Sequence, residues 1–330
     1  MDGNKVLMGK RVLLVMPKFF GYENEVRLAL EQLGATVDWL PDRAFDSPVL
    51  KGLTRLSPYL VIPFIDDYYQ NLLKNFSAPK YDKILVINGQ TISYELLSRL
   101  RVENPNAELI LYMWDSIKNR PNVLKNISLF DKALSFDKQS VKEFGFKHRP
   151  LFFSPGFKPS LNLDFSYHLS FIGTAHSDRY DVIDKVKKNL PPDLNCYWYI
   201  YLQAKWVYQV YRLTKPAHHK SKLEEFKFEP LHKNEVQLKF SQSFAILDIE
   251  HPNQTGLTMR TIEAFGAHKK LITTNYGIKD YELYNPNNIC IIDRKKPNIP
   301  SSFFNEPFVA PRPDLYQSYS IRGWINEILA

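Results

Sequence analysis

Gly256, Arg260 and Glu263 stand four and three residues apart, a spacing that stacks side chains on one face of an α-helix. Glycine there lets the backbone approach a ligand closely, a guanidinium meets a phosphate, and a carboxylate accepts a hydrogen bond from a sugar hydroxyl. Thr255, just ahead, has the side chain of a helix cap, so free N–H groups and the positive end of the helix dipole would face an anion. The plain alternative is that Thr-Gly is helix punctuation and that Arg260 with Glu263 is a surface pair worth a few tenths of a kcal/mol. The combination carries the argument, because Ala264, Gly266 and Ala267 allow the same helix to pack closely on its other side.

A second group, Gly173, Thr174, His176 and Arg179, occupies a strand-to-helix loop with a cation at hand. Arg179 there could neutralise an anionic group; alternatively Ser177 or Asp178 caps the helix, Arg179 is solvated, and His176 is a surface residue. Asp115 follows the apolar run 109–114, where a carboxylate could act as a general base toward a hydroxyl, or would cap the turn that follows. Glu23 and Glu25, after the first apolar run, are alternatives, and the three stay unranked. No metal is expected: His218-His219 lacks ligand spacing, and Asp248-Ile-Glu250 is a distant echo of a metal-binding Asp-x-Asp that fits a strand end.

These residues need a scaffold, and the hydrophobic pattern supplies one. The strand-length run 244–250, a helix of about a dozen residues and a second strand at 270–274 form a βαβ unit. Its first loop lies at the carboxyl edge of a sheet, where open α/β folds bind ligands. The same alternation predicts strands at 10–16, 36–40, 83–88, 108–114, 132–136 and 150–153, with helices at 22–33, from 93 and from 139. After a turn-rich linker, 154–162, it resumes with strand 168–173, helix 180–190, strand 196–202 and helix 234–240, and a last helix follows at about 320–329. Strands alternating with helices give mostly parallel sheets covered on both faces. The expected class is therefore α/β, with two Rossmann-like domains at 1–155 and 156–330.

Composition agrees with two ordinary domains: 330 residues, 44% apolar and 24% charged. Cys196 and Cys290 are too few for a disulfide framework, which points to a reducing compartment. The N-terminus lacks an apolar signal region and no run approaches a transmembrane length, so a cytoplasmic location is expected. The formal charge of +8 suits anionic partners in general. Residues 197–222 combine seven aromatics with five Lys or Arg and no acid, a composition shared with interfacial membrane helices. Contact with the inner face of an anionic membrane through Lys205, Trp206, Arg212, Lys215, Lys220 and Lys222 is one expectation; a core strand and helix with a basic exposed tail is the other. No nucleic-acid motif accompanies the segment, and no nucleic-acid partner is expected.

Two stretches resemble a known group. Residues 171–179 (Phe-Ile-Gly-Thr-Ala-His-Ser-Asp-Arg) and 256–264 (Gly-Leu-Thr-Met-Arg-Thr-Ile-Glu-Ala), the latter leading to Lys270-Leu-Ile-Thr-Thr274, are similar to the CgeB-like and capsule or lipopolysaccharide glycosyltransferases of bacteria. Trp114-Asp-Ser-Ile and Ser135-Phe-Asp-Lys-Gln are also similar to that group. The resemblance spans nearly the whole chain and implies the GT-B fold, two Rossmann-like domains facing across a cleft, an N-terminal acceptor domain and a C-terminal nucleotide-sugar domain. It implies transfer of a sugar from a nucleotide-sugar donor to a glycan or lipid-linked glycan acceptor, with no cofactor. It would place Thr255, Gly256 and Thr258 at the diphosphate and Glu263 on the ribose. Many retaining GT-B enzymes carry a glutamate eight positions before this one, and here that position is Thr255, so the retaining signature is broken. The alternatives are a nucleotide-sugar epimerase of the same fold and a non-catalytic two-domain ligand-binding protein.

Overall fold

The computed structural model describes residues 6–42, 68–69, 71–74, 80–159, 165–252 and 255–330. Two compact units divide the chain: Met1–Pro150 with Ile321–Ala330, and Leu151–Ser320.

In the first unit, strands β1 (Arg11–Val15), β2 (Thr36–Leu40), β3 (Lys83–Ile87), β4 (Glu108–Met113), β5 (Lys132–Ser135) and β6 (Lys147–His148) form one parallel sheet in the order β2-β1-β3-β4-β5-β6. Central strands read as unbroken apolar runs because both faces are covered: residues 12–15 and 84–87 have at most 1% exposure. Helices α1 (Tyr22–Gln32), α2 (Tyr94–Glu103) and α3 (Lys138–Phe144) supply the cover. The Ser93 hydroxyl caps α2 by accepting from Leu96 N–H, and the Asp137 carboxylate caps α3 by accepting from Ser140 N–H.

In the second unit, β7 (Tyr167–Thr174), β8 (Cys196–Tyr201), β9 (Phe226–Lys227), β10 (Ser243–Asp248), β11 (Lys270–Thr273) and β12 (Ile289–Ile291) form a parallel sheet ordered β12-β11-β10-β7-β8-β9. Its helices are α4 (Arg179–Asn189), α5 (Lys205–Thr214), α6 (Lys233–Ser241), α7 (Met259–Gly266), α8 (Ser302–Asn305) and α9 (Pro313–Ser318). Helix α7 lies close to its surroundings at Gly266, where a β-carbon would stand 2.3 Å from Cγ of Phe153. The small residues of this helix therefore serve packing, as their run implied.

Three expectations are corrected. Residues 150–153 do not form a strand of the first sheet: Phe152 and Phe153 are buried in the second unit, where Phe153 makes one bridge to Ser320. The supposed linker is packed structure as far as it is described, with Ser154 and Phe157 buried and the Phe157 ring 5.1 Å from that of Phe240; its residues 160–162 lie outside the described residues. The last helix, α10 (Ile321–Leu329), belongs to the first unit, so the compact units are not the continuous halves 1–155 and 156–330. The physical reason is its apolar face: Trp324, Ile325 and Ile328 are wholly buried, and the Trp324 ring meets Tyr112 of β4 edge-on at 4.8 Å. Glu327 pairs with Arg149 at 2.8 Å and the Lys83 ammonium reaches Leu329 O at 2.9 Å.

Candidate functional site

In each sheet the chain reverses its direction of growth once: between β1 and β3 in the first unit, and between β7 and β10 in the second. Loops leaving the carboxyl ends of two strands that flank such a reversal diverge, one above and one below the sheet, and leave a crevice for a ligand. The sequence candidates Gly173, Thr174, His176 and Arg179 follow β7, and Thr255, Gly256, Thr258, Arg260 and Glu263 follow β10. Both groups therefore belong to the same reversal.

The structure brings two arginines together there. Arg179 opens α4, and its Nε donates to Ile249 O at 2.7 Å, with a longer contact from NH1 to Thr174 O at 3.4 Å. Burial, followed by the positive charge of Arg260, lowers its pKa to about 10, against the opposing effect of Asp248 and Glu250. Arg179 is thus a fixed cation tying together the ends of β7 and β10, not a solvated side chain. Arg260 comes from the first turn of α7, its guanidinium carbon 5.9 Å from the Phe171 ring centre, and its buried Nε has no protein partner among the described residues. Gly173 makes room for it: a β-carbon there would stand 3.3 Å from Arg260 NH1 and 3.0 Å from Cζ of Phe171. Two neighbouring guanidiniums at the carboxyl edge of a parallel sheet can hold an anion, and a diphosphate would supply enough charge for both.

Further basic side chains line the same loop. His176 contacts Ser177 Oγ at 3.1 Å, and its ring lies 5.9 Å from that of His251. Burial, then Arg179, His251 and Lys215, push its pKa down to about 4, so at neutral pH it acts as a hydrogen-bonding group and not as a charge. The Lys215 ammonium reaches Ser177 O at 3.5 Å.

The start of α7 differs from the sequence expectation. Thr258, not Thr255, is the cap: its hydroxyl accepts from Thr261 N–H at 3.1 Å and donates to Asp248 Oδ2 at 2.8 Å. Gly256 consequently lies in the loop and not on the helical face of Arg260 and Glu263; its carbonyl accepts from Asn275 at 3.4 Å. Tertiary contact decided between the two threonines, because Asp248 at the end of β10 also accepts from Thr261 Oγ1 at 2.6 Å. The Thr258 hydroxyl is thereby committed to protein partners, which leaves Arg260 and backbone N–H groups as the donors that this turn can offer a phosphate. Glu263 is 5% exposed, deeper than a surface pair requires.

Asp248 and Glu250 do not converge. Glu250 accepts from Thr274 at 2.5 Å and pairs with Arg294 NH2 at 2.5 Å, while Arg294 NH1 bonds both oxygens of Asp178 at 2.9 Å. Burial works against the charge of Arg294, but Glu250 and then Asp178 outweigh it and hold its pKa above the usual value. Among the described residues no group of three or more His, Cys, Asp and Glu could hold a metal ion. Arg294 escaped sequence reasoning. The available signal was its place just past β12, a third strand ending at the same sheet edge.

In the first unit, Asp115 braces its own loop. Oδ1 accepts from Ser116 N–H and Asn119 Nδ2, each at 2.9 Å, and Oδ2 pairs with Arg120 at 3.0 Å. Glu23 is 3% exposed and accepts from Phe19 N–H at 3.0 Å, holding the turn between β1 and α1. Glu25 lies in the first turn of α1, half-buried. The loop after β1 meets the loop after β4 through aromatic rings, Phe19 and Tyr22 lying 6.0 and 6.3 Å from Trp114. The two glutamates follow a strand of the reversal, whereas Asp115 follows the strand next to it.

No protein-family model matches this chain, and no curated protein sequence matches it. Its fold does match solved structures over most of its length. Anabaena Alr3699/HepE in complex with UDP and glucose aligns with a TM-score of 0.62 at 12% identity, over 97% of this chain and 99% of that one. A glycosyltransferase from Rickettsia africae ESF-5 gives 0.54 at 14% identity, over 97% of both chains. S. aureus MnaA in a structure with UDP gives 0.53 at 12% identity, over 97% and 95%. These likenesses bear out the fold class: two α/β domains with parallel six-stranded sheets, of the GT-B type.

Proposed function

We propose that this protein is a glycosyltransferase that moves a sugar from a nucleotide-sugar, in the first instance a UDP-sugar, to a cell-surface glycan acceptor such as lipopolysaccharide or capsule. The pairing of Arg179 and Arg260 at the β7–β10 reversal carries the reading. A glycosyl transfer from a nucleotide-sugar leaves a nucleoside diphosphate, and the charge that develops on its leaving oxygen is stabilised by donors already fixed in place. Arg179 is fixed by the two strand ends, and Arg260 has hydrogen-bonding capacity to offer. Solved structures of HepE and MnaA, of the same fold, hold UDP, which supports the choice of base.

In this reading Glu263 serves the ribose, backbone N–H groups around Gly256 and Thr258 serve the diphosphate, and the acceptor proton goes to a carboxylate of the first unit. Glu25 follows a strand of the reversal, whereas Asp115 follows the next strand and is engaged within its own loop by Ser116, Asn119 and Arg120, which favours Glu25 for that last role. No metal or cofactor enters the scheme.

Thermal unfolding against a panel of nucleoside diphosphates and nucleotide-sugars tests the reading. Ligand at a hundred times its Kd stabilises the native state by about 2.7 kcal/mol, and UDP or a UDP-sugar is expected to raise the midpoint. Failure of every nucleotide and nucleotide-sugar to do so overturns the proposal. Release of UDP with the sugar retained on an acceptor then separates transfer from epimerisation.

A further inference from the structure

Helix α5 has two apolar faces. Tyr208 is 1% exposed and, with half-buried Val207 and Tyr211, fixes the helix to the second unit. On the opposite side Trp206, Val210 and Leu213 are 69%, 45% and 82% exposed. Spacings of four and three residues confine those three side chains to an arc of roughly 60°, so they form one stripe. Lys205 and Arg212 lie beside it, and Lys220 and Lys222 are exposed just beyond. From 197 to 222 there is no acidic residue.

We infer that α5 docks the protein on the surface of an anionic lipid bilayer, its Trp206–Val210–Leu213 stripe lying among the acyl chains and its basic flank among the headgroups. An amphipathic helix with an aromatic and aliphatic face and a cationic border takes this position in the plane of an interface. The helix is ten residues long, which suits lying on a bilayer, and among the described residues no helix is long and apolar enough to cross one. The charge selects the occupant. In a symmetric contact with a second copy, cations of one sign would face each other around the stripe. A nucleic acid would satisfy the cations and would offer no apolar surface for Leu213, the most exposed residue of the three. Anionic lipid satisfies both.

The docked helix also meets the candidate site. Lys215, at its carboxyl end, lies 3.6 Å from the Tyr211 ring centre and reaches Ser177 O, in the loop that carries His176 and Arg179. Lys215 is therefore turned toward that loop and drops out of the membrane-facing set that the sequence suggested. The remaining contacts would bring the lipid surface beside the loop, where a lipid-linked acceptor is within reach.

Cosedimentation tests the inference, using vesicles of equal parts phosphatidylglycerol and phosphatidylcholine, vesicles of phosphatidylcholine alone, and the full chain. Wild type is expected to pellet with the anionic vesicles, less at high salt, and to stay in solution with the neutral ones. The double variant Trp206→Ser/Leu213→Ser, altered at exposed positions, should bind at least tenfold more weakly with an unchanged thermal midpoint and unchanged response to UDP. The inference is overturned if wild type ignores anionic vesicles, if the variant pellets equally well, or if the stripe instead supports a dimer or RNA binding that the variant loses. It stands apart from the donor chemistry: vesicle binding and UDP protection are separate readouts, and either can fail alone.

Discussion

Arg179 and Arg260 carry the same charge but stand in different settings, and that difference is measurable. Arg179 is tied to backbone carbonyls at two strand ends, whereas the Arg260 Nε has no protein partner. Arg260→Ala should therefore weaken UDP binding by about ten- to a hundredfold, the loss of a charged hydrogen bond worth about 1.5–3 kcal/mol, with little change in unfolding midpoint. Arg179→Ala should weaken binding and also lower the midpoint, because it leaves Ile249 O without its partner. Calorimetric titration and thermal unfolding of both variants are the measurements; unchanged UDP affinity in Arg260→Ala removes it from the site. Sequence spacing was enough to single out both arginines, since it depends only on helical period and strand ends. It could not show that Glu263 is buried or that Asp115 is held by Arg120. Those facts depend on neighbours brought together by folding.

Elements were legible where their cause is local. Parallel strands covered on both faces must be apolar throughout, so 12–15, 84–87 and 244–248 announced themselves. The start of α7 was misread because Thr255 and Thr258 are equally good caps until Asp248 chooses between them. Likewise the apolar run 150–153 has strand composition but completes the packing around Gly266. The segment after α5 shows what the aromatic-rich composition does inside the unit. His218 is 2% exposed, its ring 4.7 Å from Tyr180, 5.3 Å from Tyr211 and 5.9 Å from Phe226, and neither ring nitrogen has a protein partner among the described residues. Burial, with Lys215 adding to it, lowers its pKa from 6.5 to about 4. Since the unfolded chain takes up the proton first, the stability is fully present above about pH 6.5 and is lost as pH falls toward about 4. The loss is on the order of 2–3 kcal/mol. His176 adds a dependence of the same sign, so the comparison must be differential. His218→Phe should lose less stability than wild type between pH 7 and pH 4.5 in urea unfolding; equal losses in the two proteins would show that His218 does not titrate on unfolding.

At the scale of the whole molecule, alternation of strand and helix disclosed two sheets, and the basic helix α5 stood out by composition. What composition could not disclose is that the chain is not divided once. Residues 321–329 have helical period and an apolar face like other surface helices, and nothing local says which unit that face covers. Packing decides it: Trp324 is wholly buried against Tyr112 in the first unit, while nucleotide contacts are proposed only in the second. The two units can therefore be perturbed separately. Truncating a buried Trp costs about 3–5 kcal/mol, so Trp324→Ala should lower the unfolding transition of the first unit. UDP binds the native second unit in this reading and should raise the transition of that unit alone. Scanning calorimetry of wild type and variant, each with and without UDP, should show the mutation acting on the transition that UDP does not move. If Trp324→Ala instead lowers the UDP-responsive transition and leaves the other in place, either the last helix stabilises the second unit or the nucleotide is held by the first. Arg260→Ala then tells these apart, because loss of the UDP response in that variant keeps the nucleotide in the second unit.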